Sequence, residues 1–170
     1  MKIKPVVVEE YNPEWENEFH KIEDALLCVL AGKVVSIEHV GSTSVKGLPA
    51  KPIIDIDIVI DDNFDEVRSL LEKMGYCHEG DLGISGRDAF KYEGKPHLMI
   101  HHLYVCKKDN EELQRHIAFR NYLGEHPDIR ERYGNVKKEM ALQYPDDRDS
   151  YIKGKSSIIE EIYRMCGSIR

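Results

Sequence analysis

The chain has 170 residues, the length of one globular domain, and its 41% hydrophobic and 32% charged residues with 12 Gly and 7 Pro describe a soluble protein with a sizeable core, which excludes disorder, collagen and coiled coil. Twenty-four Lys and Arg against 31 Asp and Glu leave a formal charge of −7, so the chain as a whole repels a phosphate polymer and bulk nucleic-acid binding is set aside, although a local basic patch could hold a small anion. No apolar run reaches the roughly 20 residues that cross a bilayer, and the start, Met1-Lys2-Ile3-Lys4-Pro5, lacks the apolar stretch of a signal peptide, so a cytoplasmic protein away from membranes is expected.

Asn12-Pro13-Glu14 supplies an N-cap, a Pro at the first helical position and an acid in the first turn. Trp15, Phe19, Ile22, Leu26, Val29 and Leu30 then recur at helical spacing until Gly32, which predicts a helix over about 13–31 with that stripe in the core. Residues 34–40 are short and β-branched, then break into Gly41-Ser42-Thr43-Ser44 and a loop holding Gly47-Leu48-Pro49, so a strand and a small-residue turn are expected. The run 53–60 reads Ile-Ile-Asp-Ile-Asp-Ile-Val-Ile, and strand alternation puts Ile54, Ile56, Ile58 and Ile60 on one face and Asp55 and Asp57 on the other. Asp62-Asn63 is expected to cap a helix carrying Val67, Leu70, Leu71 and Met74 and ending at Gly75.

The stretch 76–93, with Gly80, Gly83 and Gly86, reads as a strand and a turn entering a further strand, and 97–106 as another strand. Three helices follow over about 111–124, 128–143 and 148–166, broken by Gly124, Pro127 and Pro145. The order predicts an α/β (α+β) fold, a mixed sheet covered by helices with a C-terminal helical set. Cys28, Cys77, Cys106 and Cys166 form no C-x-x-C pair and are expected to be reduced, mostly buried thiols.

Function has to come from a site rather than from that fold class. Two aspartates two residues apart on one strand face have Cα atoms about 6.6 Å apart, and a core cannot absorb two such charges unpaired. Either the face is open to water or it holds a cation, for which two carboxylates and substrate phosphates suit Mg²⁺. A Gly-Ser turn directly after a strand offers backbone N–H groups and a hydroxyl to an anion, and phosphate beside two metal-binding acids is a layout for phosphoryl transfer. His97 and His101, four residues apart on one strand, would lie about 13 Å apart, too far to chelate one zinc.

Gly41-Ser42 followed by Asp55-Ile56-Asp57 resembles the signature of the nucleotidyltransferase fold. More narrowly, the string from Glu38-His39-Val40-Gly41-Ser42-Thr43-Ser44-Val45 through Gly47-Leu48-Pro49-Ala50-Lys51-Pro52-Ile53-Ile54-Asp55-Ile56-Asp57 resembles the GrpB family, a branch of that fold. Further matches are Gly83-Ile84, Gly86-Arg87, His102-Leu103, the run Phe119 to Leu123, His126-Pro127, Tyr133, Lys137, Tyr151 and Lys155, so the resemblance runs from about residue 5 to the end. Lys46 stands where that family usually has Pro, and Tyr104 where a second His is expected. The wider fold usually supplies a third carboxylate on a neighbouring strand, where this chain has His102 and Tyr104.

The resemblance implies one nucleotidyltransferase-like domain over 1–170, with a core over about 1–108 and a helical part over about 109–170. It implies Asp55 and Asp57 as ligands of Mg²⁺, or Mn²⁺, on a nucleoside triphosphate, with Gly41, Ser42 and Ser44 gripping phosphates and His102 as a further ligand or base. Lys51, Arg87 and Lys91 would be phosphate partners, or else ordinary solvated charges. His102 has the alternative of a polar strand residue with a structural hydrogen bond, and Gly41 and Ser42 of merely making a turn. Asn121, His126 and Tyr133 read as helix contacts or acceptor-pocket residues. The leading expectation is transfer of a nucleotidyl group to a small acceptor. The alternatives are a nucleotide- or ligand-binding module without transfer, and a factor whose acidic face docks a basic partner.

Overall fold

In a computed structural model the residues described are 4–167, so Met1-Lys2-Ile3 of the start read above lie outside them. The first helix, α1 (Glu14–Leu30), starts where the Asn12 side chain accepts the Glu14 N–H at 3.0 Å. Trp15, Phe19, Ile22, Leu26 and Leu30 are its buried stripe, but Val29, expected there, is 37% exposed. Leu26 and Leu30, one turn apart, already fill the seam, and Val29 falls on its flank. The strands are β1 (Ser36–Val40), β2 (Ile54–Ile60), β3 (Tyr76–Gly80), β4 (Arg87–Tyr92) and β5 (His101–Lys107). A 3-10 turn spans Ser42–Ser44, and α2 (Phe64–Lys73) joins β2 to β3. Asn63 precedes α2 but does not cap it through its side chain, which instead donates to the Lys33 carbonyl at 2.7 Å and ties the end of α1 to the start of α2.

The sheet order is β1-β2-β5-β4-β3, with β2 and β5 parallel and the other pairs antiparallel, so the expected mixed sheet covered by helices is what forms. Ile54, Ile56, Ile58 and Ile60 share one face with Leu103 and Val105 and pack against α1 and α2. Each such buried aliphatic contributes about 1.5–3 kcal/mol, which fixes the register and with it the opposite face. That face carries Asp55, Asp57 and Val59 beside His102, Tyr104 and Cys106.

The strand expected over 97–106 begins only at His101; His97 lies in the preceding turn, so the two histidines do not share a strand. His101 is buried, its ring between the Tyr76 hydroxyl and the Met99 carbonyl, both at 2.8 Å. The cysteines are also less buried than expected: Cys106 is in the core and Cys166 is half-buried, while Cys28 and Cys77 sit on the outward sides of α1 and β3.

The helices α3 (Glu111–Glu125), α4 (Pro127–Gln143) and α5 (Arg148–Met165) complete the chain. α3 runs through Gly124, the expected breaker, and ends at Glu125 ahead of Pro127. Leu113 of α3 packs on Val59 and Cys106, covering one end of the polar sheet face. Phe119, Leu123, Tyr133, Ile158 and Ile162 form a second core around Val45 and Leu48, the loop after the 3-10 turn. A side chain at Gly134 would come within 2.8 Å of Pro49, so only glycine lets α4 lie this close to that loop. No helix of the described residues is long and apolar enough to cross a membrane.

Candidate active site

β1 ends at Val40, whose partner on β2 is Asp55, so the turn that follows lies directly over the first aspartate. Gly41 has φ 73°, a left-handed value favouring glycine, and any Cβ there would collide with the Asp55 carboxylate. The turn is held by Ser44, whose hydroxyl donates to the Gly41 carbonyl at 2.5 Å, and by the buried Thr43, whose hydroxyl donates to the Ile53 carbonyl at 3.2 Å. Thr43 therefore accepts from His39 Nε2 at 3.0 Å, and the ring stacks on Phe19. Burial, the main cause, lowers the His39 pKa to about 4, so this histidine is a neutral strut at neutral pH. The Ser42 side chain lies near the Tyr133 phenol and interacts with it.

Each aspartate has its own histidine. His102 Nδ1 lies 3.0 Å from Asp55 Oδ1 at the rim. His116 Nδ1, from α3, lies 2.8 Å from Asp57 Oδ2. An ionised carboxylate only accepts, so both ring nitrogens are donors and each Nε2 is left facing away. The sequence leaves this face either open to water or holding a cation, and the two aspartates differ: Asp55 is partly open, but Asp57 is 0% exposed because α3 lies across it, and its Oδ1 is buried with no hydrogen-bond partner among the described residues. A buried carboxylate oxygen without a donor is one that a cation could take as a ligand. Asp57 Oδ1 and the Asp55 Oδ2 that faces Gly41 are hard donors of the kind Mg²⁺ or Mn²⁺ takes, so the residues present fit such an ion. Among the described residues no group of three His, Cys, Asp or Glu is gathered for a metal.

Asp55 lines a cleft of about 240 Å³ together with Arg87, Tyr104, His116, Phe119 and Tyr163 among others. Three lysines cluster around two tyrosine rings nearby: Lys137 lies 4.5 Å from the Tyr133 ring centre, Lys155 4.4 Å from that of Tyr151, and Lys51 5.5 Å from the same ring. Lys137 is 2% exposed and makes no ion pair among the described residues. Burial first and the charge of Lys155 second push its pKa well down; burial and Lys51 bring Lys155 to about 8, and burial and Arg148 lower Lys51. Asp55 raises all three, so these cations and the aspartate sense one another. Clustered, partly desolvated lysines lowering one another's pKa form a site that a polyanion would relieve.

The family model described as GrpB protein matches residues 5–165. The chain belongs to the GrpB family. The UPF0157 protein YqkA of Bacillus subtilis is 36% identical over 88% of this GrpB chain, which spans only 44% of that protein's length. The glutamate-rich protein GrpB of Alkalihalophilus pseudofirmus is 32% identical over 92% of the chain and 93% of its own length. The crystal structure of conserved protein GrpB from Enterococcus faecalis superposes with a TM-score of 0.82 at 38% identity, covering 94% of this chain and 96% of that one.

Of the residues singled out in this GrpB sequence, Gly41, Ser42, Asp55, Asp57, His102 and Lys51 meet around the first aspartate. Arg87 lies across the cleft, its guanidinium 4.0 Å from the Tyr104 ring centre. Ser44 faces the opposite groove beside His39 and Arg120. Lys91 is exposed on β4 and lines no part of the cleft. Asn121 accepts from Arg120 and His126 stacks on Tyr122, both contacts within the helical set, while Tyr133 borders the cleft. His116, absent from the expected site, is brought to Asp57 by a helix far along the chain, and nothing local marks it. Lys137 and Lys155 had a local signal: each follows a tyrosine by one helical turn, Tyr133–Lys137 and Tyr151–Lys155, and that spacing sets an ammonium over a ring.

Proposed function

We propose that this chain is a Mg²⁺-dependent nucleotidyltransferase, with Mn²⁺ as an alternative ion, moving a nucleotidyl group from a nucleoside triphosphate to a small acceptor in the cytoplasm. The observation that carries the reading is the unpartnered, buried Oδ1 of Asp57 next to an Asp55 carboxylate pressed against the Gly41-Ser42 turn, with a lysine cluster near enough to sense Asp55. Asp55 and Asp57 hold the ion, which when bound neutralises the polyphosphate and polarises the α-phosphoryl group. Lys51, Lys137 and Lys155 bind the outer phosphates, and Ser42 and Gly41 approach them through hydroxyl and backbone. The acceptor hydroxyl forms a bond to the α-phosphorus as the bond to pyrophosphate breaks, its proton passing to His116 Nε2 or His102 Nε2, each held by its own aspartate. The resemblance of the Gly-Ser and Asp-Ile-Asp residues to the nucleotidyltransferase signature supports the same reading, and the net charge of −7 argues against a nucleic-acid acceptor.

Nucleoside triphosphates titrated with and without Mg²⁺, followed by an assay for released pyrophosphate over a panel of small hydroxyl compounds, test the proposal. Mg²⁺-dependent binding with acceptor-dependent pyrophosphate supports it. The ungathered third metal ligand favours, as the second reading, a nucleotide-binding module without transfer, for which binding would occur and pyrophosphate would not.

A further inference from the structure

The cleft beside Asp55 contains a cation with no ion-pair partner among the described residues. Arg87 opens β4 opposite Cys106 of β5, so its side chain leaves the sheet on the Asp55 face. One face of its guanidinium rests on the Tyr104 ring, and its Nε is buried without a hydrogen-bond partner. Five of the other arginines are engaged, Arg68 with Glu72, Arg115 with Glu112, Arg120 with Glu38, Arg132 with Glu161, and Arg130 with the carbonyls of Leu123 and Gly124. Among the described residues Arg87 has no carboxylate within ion-pair distance, Asp55 included.

A guanidinium held over a ring has its rotation restricted and can still offer N–H groups from its edge, which suits the two coplanar oxygens of a carboxylate or the oxygens of a phosphate group. Asp55 and His116 line its other end, the wall between is aromatic and aliphatic, with Phe119, Ile159 and Tyr163, and its volume admits only a small molecule. No lysine lines it; the lysines lie toward Tyr133 and Tyr151.

We propose that this cleft binds a small organic oxyanion through Arg87 held on Tyr104, and that in the transfer reaction the oxyanion is the acceptor, a carboxylate- or phosphate-bearing molecule. Only the word acceptor rests on the proposed transfer; the oxyanion site stands on the geometry of the cleft. The molecule would lie with its charged end on Arg87 and its body against Phe119 and Tyr163, bringing its other end toward Asp55 and His116.

The test uses the whole chain labelled with ¹⁵N, following the Arg87 Nε–H signal while succinate and, separately, inorganic phosphate are added. Calorimetry is run in parallel on the unaltered chain, Arg87→Met, Arg87→Lys and the double variant Lys137→Met/Lys155→Met. The expected result is that Arg87 Nε–H shifts saturably with one of the two probes, which tells carboxylate from phosphate, and still does so in the lysine variant. Affinity for that probe falls roughly tenfold or more in Arg87→Met, and Arg87→Lys does not restore it because the fork is lost. An Arg87 signal that neither probe moves, or binding abolished only by the lysine changes, overturns the proposal. So does an Arg87 signal moved by a magnesium nucleotide that displaces succinate, since Arg87 would then belong to the nucleotide. A chain that binds no nucleotide but retains the Arg87 response keeps the oxyanion site and loses the transfer reading.

Discussion

His116 Nδ1 lies 2.8 Å from Asp57 Oδ2, while the other oxygen of the same buried carboxylate has no partner. The helix that covers this charge thus satisfies only half of it. The half left over is the half a cation would take, so α3 both covers the acid and selects which oxygen is presented.

Changing His116 should separate its two nitrogens. In His116→Ala the second Asp57 oxygen also loses its donor, and stability is expected to fall by about 1–3 kcal/mol, the cost of an unsatisfied buried acceptor. His116→Asn can offer an amide N–H to Asp57 in place of Nδ1 and should melt close to the unaltered chain, yet it has no ring nitrogen to take a proton. Pyrophosphate release should therefore be slow in both variants, with stability lost only in the alanine form. Equal melting losses in the two would show that Asp57 does not depend on this donor.

Asp55→Asn and Asp57→Asn test the pair as a cation site. Each change removes one of two neighbouring negative charges and keeps the shape, so in chelator the variants should be as stable as the unaltered chain or up to about 1 kcal/mol more stable. Mg²⁺ or Mn²⁺ should raise the melting temperature of the unaltered chain by binding the folded state, and this rise should vanish in both variants. A loss of about 3–5 kcal/mol in chelator would instead mean that a carboxylate neutralises a buried cation of the fold.

Gly41→Ala has an internal control. Gly32 also has positive φ, but a Cβ there meets open space, whereas at Gly41 it meets the Asp55 carboxylate. Gly32→Ala should cost about 1–2 kcal/mol for the backbone conformation alone. Gly41→Ala should cost more and should also abolish the metal-induced rise in melting temperature. If the two variants melt alike and both retain that rise, the close approach of turn and aspartate is not needed.

What the sequence disclosed follows from the range of the forces involved. Strand alternation placed Asp55 and Asp57 opposite the isoleucines, and helical spacing placed Trp15, Phe19, Ile22 and Leu26 in the core, since both signals are periodic and local. It could not disclose that Asp57 is covered while Asp55 is open, because the cover comes from α3, 59 positions away in sequence at His116. Val29 failed for a related reason: a helical stripe has flanks, and only the neighbouring element decides how wide the buried part is. His97 was drawn into a strand by its apolar neighbours, yet the chain there makes a turn after Pro96, which removes a backbone donor, and pairing with β2 begins only at His101.

Lys137 offers a test in which stability and binding oppose each other. Its ammonium is buried beside Tyr133 without an ion-pair partner among the described residues, so it costs the fold a desolvated charge or a proton. Lys137→Met keeps length and volume and should raise stability by about 1 kcal/mol, while weakening the binding of tripolyphosphate severalfold. A destabilised variant that binds tripolyphosphate as before would make the lysine a structural element.

The pH dependence of that binding follows from Lys155, whose pKa falls from 10.5 to about 8 on folding, chiefly through burial and secondly through Lys51. Below about pH 8 both folded and unfolded chains hold the proton, and the fold bears the whole cost of the buried charge. Between about 8 and 10.5 the folded chain releases the proton while the unfolded chain keeps it, so this group makes stability rise with pH across that window. Polyphosphate binding needs the charged form and must move the other way, weakening as pH passes about 8. Binding in that window must also draw a proton back onto the protein. Calorimetry with tripolyphosphate at pH 8.5, in buffers of different ionisation enthalpy, should therefore report proton uptake in the unaltered chain and less of it in Lys155→Met. Arg substituted for Lys155 keeps its charge at this pH, so Lys155→Arg should bind with a flatter pH profile. Affinity unchanged between pH 7 and 9.5 with no proton uptake would remove Lys155 from the phosphate site.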